Sequence, residues 1–224
     1  MTSLRGVSNA TSETTTLTVP LVTGTVAGDL ILIFAVGDNV VASAQAGFTS
    51  VGVNTGAACS RAFVRTADGT EPSSFALTIN AAGSVACAIS AVYAGPASLD
   101  PAAIPTPYTT ATPSTSLPVP AVTLTGSSDW LAWFGCGLLT AGASGLTVTA
   151  PSGFTSQETV ALFSSGVAEI AMTFADIESA QSSGSTGTKT GTCSYSAKQA
   201  GWMVGISPTA PAAGVNSSAF LDFF

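Results

Sequence analysis

No histidine occurs among the 224 residues, and only five side chains are cationic. The first absence removes the commonest general base, proton shuttle and metal ligand, so most hydrolytic and metal-dependent chemistry is excluded and no enzyme is expected. The second excludes nucleic acid as a main partner, because five scattered cations cannot form the basic stripe that a phosphate backbone requires. Charged residues make up only 8% of the chain, with a net charge of −7. Free monomers carry about a quarter charged residues. A surface this poor in charge is either covered by Ser and Thr hydroxyls or covered by neighbours in an assembly, and the two are compatible. No apolar run approaches the roughly 20 residues of a membrane-spanning helix. The longest, LILIFAV at 30–36 and WLAWFGCGLL at 130–139, have the length of buried strands, so no membrane partner is expected. The opening residues MTSLRGVSNATSETTT lack the basic start and apolar core of a secretory signal. Cys59, Cys87, Cys136 and Cys193 form no CxxC pair and no zinc-binding spacing. Cys87 and Cys136 lie inside apolar segments, and reduced, buried thiols are expected. Neither a metal nor a cofactor is implied.

Thr, Ser, Gly, Val and Ala dominate what is present, whereas the formers of long helices (Leu, Glu, Lys, Arg, Gln) are scarce. Val and Thr favour strands, and Gly with Pro marks turns. The chain reads as all-β. Short strand signals separated by turn clusters recur along it: TTLTVP, DLILIFAVG, SRAFVRTA, SFALTIN, SVACAISAVYAG, and later LPVPAVTLT, DWLAWFGCG, LTVTAP, ETVALFS, AEIAMTFAD, GTCSYSA and GWMVGISP. FALTIN and LTVTAP alternate apolar and polar residues, as half-solvated strands do; DLILIFAV does not, and is expected to be a central strand buried on both faces. Seven of the twelve prolines fall in 95–122. Proline donates no ladder hydrogen bond, so this stretch is expected to be extended and unpaired, either as a linker or as a crossover on one sandwich.

The tetrapeptide GFTS occurs at 47–50 and again at 153–156. Other features recur around it in the same order. An aspartate-led apolar strand ending in Gly precedes each copy, DLILIFAVG from Asp29 and DWLAWFGCG from Asp129. A strand running into TAD or FAD follows, ending at Asp68 and Asp176. Each half closes in an apolar strand ending on a small residue and proline, AVYAGP and GWMVGISP. The offsets drift from 100 (29 to 129) through 106 (47 to 153) to 108 (68 to 176), the pattern that duplication with loop insertions produces. The expected organisation is an N-terminal arm (1–14), a β-sandwich (15–208) and a C-terminal arm (209–224). The sandwich divides into half one (15–95), a Pro-rich crossover (96–116) and half two (117–208). One jelly-roll-like β-sandwich built from two duplicated halves is the expected fold, with two tandem sandwiches as the alternative. Phe48 and Phe154 are expected to plug the core at the turn that each GFTS makes.

Few side chains offer chemistry. Asp68 with Glu71, in ADGTEP, has the composition of a weak calcium site or of a tight turn; Asp176 with Glu178 has the same two readings. Neither has the several alternating carboxylates of a calcium loop. Arg61 and Arg65 share parity on one strand and are expected on a solvated face. The run SSGSTGTKTGT at 182–192 has no strand-to-helix context for phosphate binding and reads as a long hairpin loop. Tyr93, Tyr108, Tyr195, Trp130, Trp133 and Trp202 are the only candidates for stacking on a sugar, and core packing is the default for the tryptophans. The C-terminal stretch ends in an apolar tip, in which Phe220, Leu221, Phe223 and Phe224 are candidate subunit-interface residues.

Together, VAGDLILIFAVGDN, AGFTSVG, TADGTEPSSFALTI, AVYAGP, the Pro/Thr-rich crossover, TAPSGFTSQ and GWMVGISP resemble a widespread class of tailed-bacteriophage virion proteins with a β-sandwich. The resemblance covers about 15–208. The chain departs from the class pattern in having no arginine near the end of GWMVGISPTA and Val64-Arg65 where an aromatic precedes the TADGTEP turn. The resemblance implies a non-enzymatic structural protein of the virion, assembled in the host cytoplasm. It would be a capsid decoration protein contacting the major capsid protein or other virion proteins as a homo-oligomer. The alternative is a head-fibre or tail-associated protein that binds a host glycan.

Overall fold

The computed structural model describes residues 3–38, 41–43, 47–54, 58–79, 85–100, 103, 107–127, 129–140, 144–164 and 168–208. These residues form antiparallel strands and no helix. The first half supplies β1 (Leu4–Ser12), β2 (Thr16–Pro20), β3 (Leu30–Gly37), β4 (Val41–Ser43), β5 (Thr49–Asn54), β6 (Cys59–Thr66), β7 (Ser74–Ile79) and β8 (Ala86–Tyr93). After β9 (Ala97–Leu99), the second supplies β10 (Tyr108–Val119), β11 (Thr123–Leu124), β12 (Asp129–Thr140), β13 (Val148–Thr149) and β14 (Thr155–Ser164). It ends with β15 (Ala168–Gln181), β16 (Gly184–Ser185) and β17 (Lys189–Pro208).

The sheets form two β-sheet bodies. In the first, a sheet of order β1-β8-β3-β6-β5 carries a smaller one, β2-β7-β4, on its outer face. In the second, the main sheet runs β10-β17-β12-β15-β14, with β13 and β9 also on β17 and β11 paired to β16. The two main sheets face each other: β1 meets β14, β8 meets β14 and β15, β3 meets β12, and β6 meets β17.

Strand alternation explains the layering. Leu30, Leu32, Phe34 and Val36 of β3 point into the core between the main sheets, whereas Ile31, Ile33 and Ala35 point into an outer core beneath β2 and β7. Strand β12 repeats this with Ala132, Phe134, Cys136 and Leu138 inward and Leu131, Trp133 and Leu139 toward a third core. Both central strands are thus buried on both faces, as DLILIFAV predicted. Phe34, Phe134, Phe174 and Trp202 stack through the middle, with the Phe34–Phe134 centroids 5.6 Å apart and Phe134–Phe174 4.7 Å apart.

Several expectations change. The first residues are not a free arm: Leu4–Ser12 pairs with β8 along the sheet edge. The Pro-rich crossover is not unpaired, because β9 and β10 both pair with β17. Proline is accommodated there since β10 is an edge strand whose register shifts between Thr110 and Ser114 and again between Ser114 and Ser116. The run read as a long loop at 182–192 contributes β16 and the start of β17, and the two strands expected at its end are one strand of 20 residues.

The two main sheets share one strand order: adding nine to each label of β1-β8-β3-β6-β5 gives β10-β17-β12-β15-β14. The two GFTS segments occupy equivalent places. Gly47 and Gly153 have φ of 91° and 88°, a left-handed conformation that favours glycine. A strand begins at Thr49 and at Thr155, and a register shift follows each, between Ser50 and Gly52 and between Ser156 and Glu158. Phe48 packs edge-on against Phe75 at 4.8 Å, and Phe154 packs against the third core.

Replacing Phe134 by Ala should destabilise the protein by about 3–5 kcal/mol, because the cavity opens at the centre of the stack. Phe163→Ala, at a position 47% exposed, should change stability by no more than about 0.5 kcal/mol. Urea unfolding of the two variants, followed by tryptophan fluorescence, checks the contrast.

Candidate functional site

Three buried carboxylates, Asp29, Asp100 and Asp129, stand where strands begin or end. Asp29, at the entry to β3, is 1% exposed. Arg5 of β1 grips it with both arms of the guanidinium, Nε to Oδ2 at 2.6 Å and Nη2 to Oδ1 at 2.9 Å. The N–H groups of Val26 and Gly95 also donate to it, each at 2.9 Å. One carboxylate therefore joins the first strand, the turn into β3 and the exit of β8. Burial opposes its ionisation, but the Arg5 hydrogen bond, the two N–H donors and the Arg5 charge outweigh that and hold it below its usual range. Gly95 has no room for a side chain, since a Cβ there would meet the Gly28 carbonyl.

Asp129 holds the corresponding place in the second half, as the first residue of β12. It accepts from the Gly126 N–H at 2.9 Å, three residues earlier, as Asp29 does from Val26. Its other oxygen accepts from Ser207 Oγ at 2.7 Å, at the exit of β17, where Gly95 stands at the exit of β8. Sequence alignment of the halves paired the two aspartates; that each ties its central strand to the end of the last strand was not legible. Asp100, fully buried after β9, accepts from the N–H and hydroxyl of Thr125 at 2.6 and 3.0 Å.

Asp68 and Glu71 close the turn after β6. Glu71 accepts from the N–H groups of Asp68 and Gly69 at 2.7 and 2.9 Å, and Asp68 accepts from the N–H and hydroxyl of Thr70. Arg65 bridges both acids, at 2.8 and 3.2 Å. The Thr70 hydrogen bonds, with help from Arg65, hold the Asp68 carboxyl low. Their oxygens are committed to turn donors and to a cation, and no group of three or more metal-ligating side chains occurs among the described residues. Arg65 accordingly has a side chain only 15% exposed rather than solvated. Asp176 stands neither in a turn nor in a cation site: β15 runs on to Gln181 and buries it mid-strand.

All four cysteines are unpaired thiols in the interior. Burial pushes them up, Cys87 to about 12, which leaves little thiolate for nucleophilic work. Trp133 and Trp202 are fully buried, and Trp130 is half-buried with Tyr93 edge-on at 6.2 Å. Among the described residues the exposed aromatics are Phe163 and Tyr195, at 47% and 46%. A shallow cleft of about 330 Å³ beside β5 and β6 is lined by Leu30, Val51, Val64, Arg65 and Leu99, among others, and assembles no catalytic pair. Phe220, Leu221, Phe223 and Phe224 lie outside the described residues. These features define an all-β protein of two β-sheet bodies. Comparison with family models, curated proteins and solved structures gives no match.

A carboxyl held low contributes stability that is fully present above its unfolded value, near 3.8, and is lost as the pH falls through the folded value. Asp29→Asn should therefore be clearly less stable than wild type at about pH 7, and the gap should narrow toward about pH 3. Urea titrations of both proteins across that range provide the check.

Proposed function

We propose that the chain is a non-enzymatic structural protein of a bacteriophage virion, with decoration of the outer capsid as its role. The observation that carries the reading is the architecture: two bodies with one strand order, packed face to face through apolar main sheets, with buried carboxylates such as Asp29 and Asp129 tying strand ends together. Such a build gives a rigid scaffold without a reactive centre. Its low charge and the resemblance of 15–208 to virion β-sandwich proteins support the same reading.

Within this reading each half is one jelly roll, and the chain is a fused duplicate. In the first half the order β1-β8-β3-β6 opposite β2-β7-β4 supports that reading, with β5 paired to β6 at the edge of the main sheet instead of extending the small one. The matching aspartates, glycine turns and register shifts of the halves support common descent. The packing between them supports it too. The β1–β14 contact has its counterpart on the opposite side, where Gly52 of β5 abuts Pro107 just before β10, and Thr109 donates to the Ala58 carbonyl. Two equivalent bodies related by a two-fold would meet in this way. The partners are the major capsid protein or other virion proteins, with self-association through the C-terminal phenylalanines.

Exposed Tyr195 favours a second reading, a head-fibre or tail-associated protein that stacks a host glycan on an aromatic face. Mixing the purified protein with expanded empty capsids separates the two. Stoichiometric binding with a gain in capsid thermal stability is expected; absence of binding, together with retention on a glycan array that Tyr195→Ala abolishes, would replace decoration by the fibre or tail role.

A further inference from the structure

We propose that Asp176 of β15, which accepts from Tyr93 of β8 across the central core, makes the packing of the two bodies proton-sensitive: the packed interface is more stable with the Asp176 carboxyl protonated and less stable toward neutral pH, where a buried charge must be carried. Tyr93 Oη donates to Asp176 Oδ2 at 3.0 Å, and Gln157 Nε2 of β14 donates to Oδ1 at 2.8 Å. The tyrosine is fully buried and the aspartate 1% exposed, so water screens neither. Here the first body is joined to the second by a side-chain hydrogen bond that crosses the central core.

Among the described residues no cation pairs with Asp176, so a negative charge there is stabilised by neutral donors alone. Strand β12 places Ala132 in register with it, and β14 places Thr155 there. The ionisable groups acting on Asp176 are Tyr93 and, along its own strand, Glu178, whose charge is of the same sign. Arg5 of β1 is held by Asp29. Trp130 covers Tyr93 with an apolar edge. This differs from Asp29, which has similar exposure but a guanidinium in contact. Burial raises the Asp176 carboxyl to about 6, against the opposing pull of the Gln157 and Tyr93 hydrogen bonds and with the aid of Glu178.

The direction of the linkage follows. Between about pH 4 and 6 the folded protein holds a proton at Asp176 that the unfolded chain has released, so stability falls as pH rises through this window. The slope is opposite to that of Asp29. Relative to Asp176→Asn, the wild-type unfolding constant should rise by up to about tenfold per pH unit between about pH 4 and 6 and then level off. The Asp176 carboxyl carbon, followed by NMR in ¹³C-aspartate-labelled wild type, should titrate near 6. Tyr93→Phe removes a donor to the ionised form and should move that titration upward, whereas a purely packing role for the hydroxyl would leave it in place. An Asp176 titration near the ordinary 3.8, or an Asp176→Asn variant with the same pH slope as wild type, would overturn the proposal. The NMR titration uses wild type, so it decides the question even if a variant does not fold.

Discussion

Two strands that are apolar on both faces, β3 and β12, govern everything else in this molecule. A strand of this kind cannot end a layered structure, since each face left in water forfeits about 1.5–3 kcal/mol for every large side chain on it. One face of β3 is covered within its own half by the small sheet β2-β7-β4. The other face, with Leu32, Phe34 and Val36, has nothing in its own half to cover it and meets Phe134 and Trp202 of the second half. β12 stands in the reciprocal position. Neither half can bury its central strand alone, and the stack of layers with three apolar cores is the arrangement that satisfies both at once.

Scarcity of charge shapes the polar design in the same way. With so few cations available, buried carboxylates have to be stabilised by neutral donors. Asp29 has Arg5, and Glu71 shares Arg65 with Asp68; Asp129 and Asp100 accept from N–H and hydroxyl donors, and Asp176 from a phenol and an amide. Around Asp29, Asp100 and Asp129 the donors lie near strand entries and exits, where backbone N–H groups have no ladder partner, so these acids accept stranded hydrogen bonds where strands start or stop, whereas Asp176 takes its donors mid-strand. The difference between Asp29 and Asp176 shows what a cation changes. At nearly equal burial, the one beside Arg5 is held ionised, whereas the one without a cation is pushed toward its neutral form.

Residue patterns that report local conformation were legible in the sequence. The unbroken apolar run of DLILIFAVG identified a doubly covered strand, the glycines of the two GFTS phrases identified turns, and Asp68-Gly69 identified another. Pairing partners were less legible, because they depend on residues far apart in the chain. Prolines argued against pairing of 108–119, yet an edge strand with shifted register accepts them. The phrases TAD and FAD looked equivalent, but Asp68 lies in a turn and Asp176 mid-strand, since β15 extends five residues beyond it. Nothing near Asp176 in the sequence signals Tyr93, 83 residues away, as its partner.

The sheet edges bear on how such a protein meets neighbours without uncontrolled polymerisation. Four long edge strands, β1, β5, β10 and β14, border the two main sheets, and an unmodified edge is a template for further strands. Charge, the usual deterrent, is scarce here. Each of the four edges instead carries a register shift: near Leu4, after Ser50, between Thr110 and Ser116, and after Ser156. A bulge twists the edge and interrupts its row of donors and acceptors, so ladder growth is blocked without a lysine. Prolines in β10 add to the effect. The exposed large apolar side chains among the described residues, Val26, Val53, Phe163 and Tyr195, stand on separate elements and compose no single adhesive core. Association of this molecule therefore calls for a partner surface shaped to it, or for residues outside the two bodies, rather than for open-ended sheet extension.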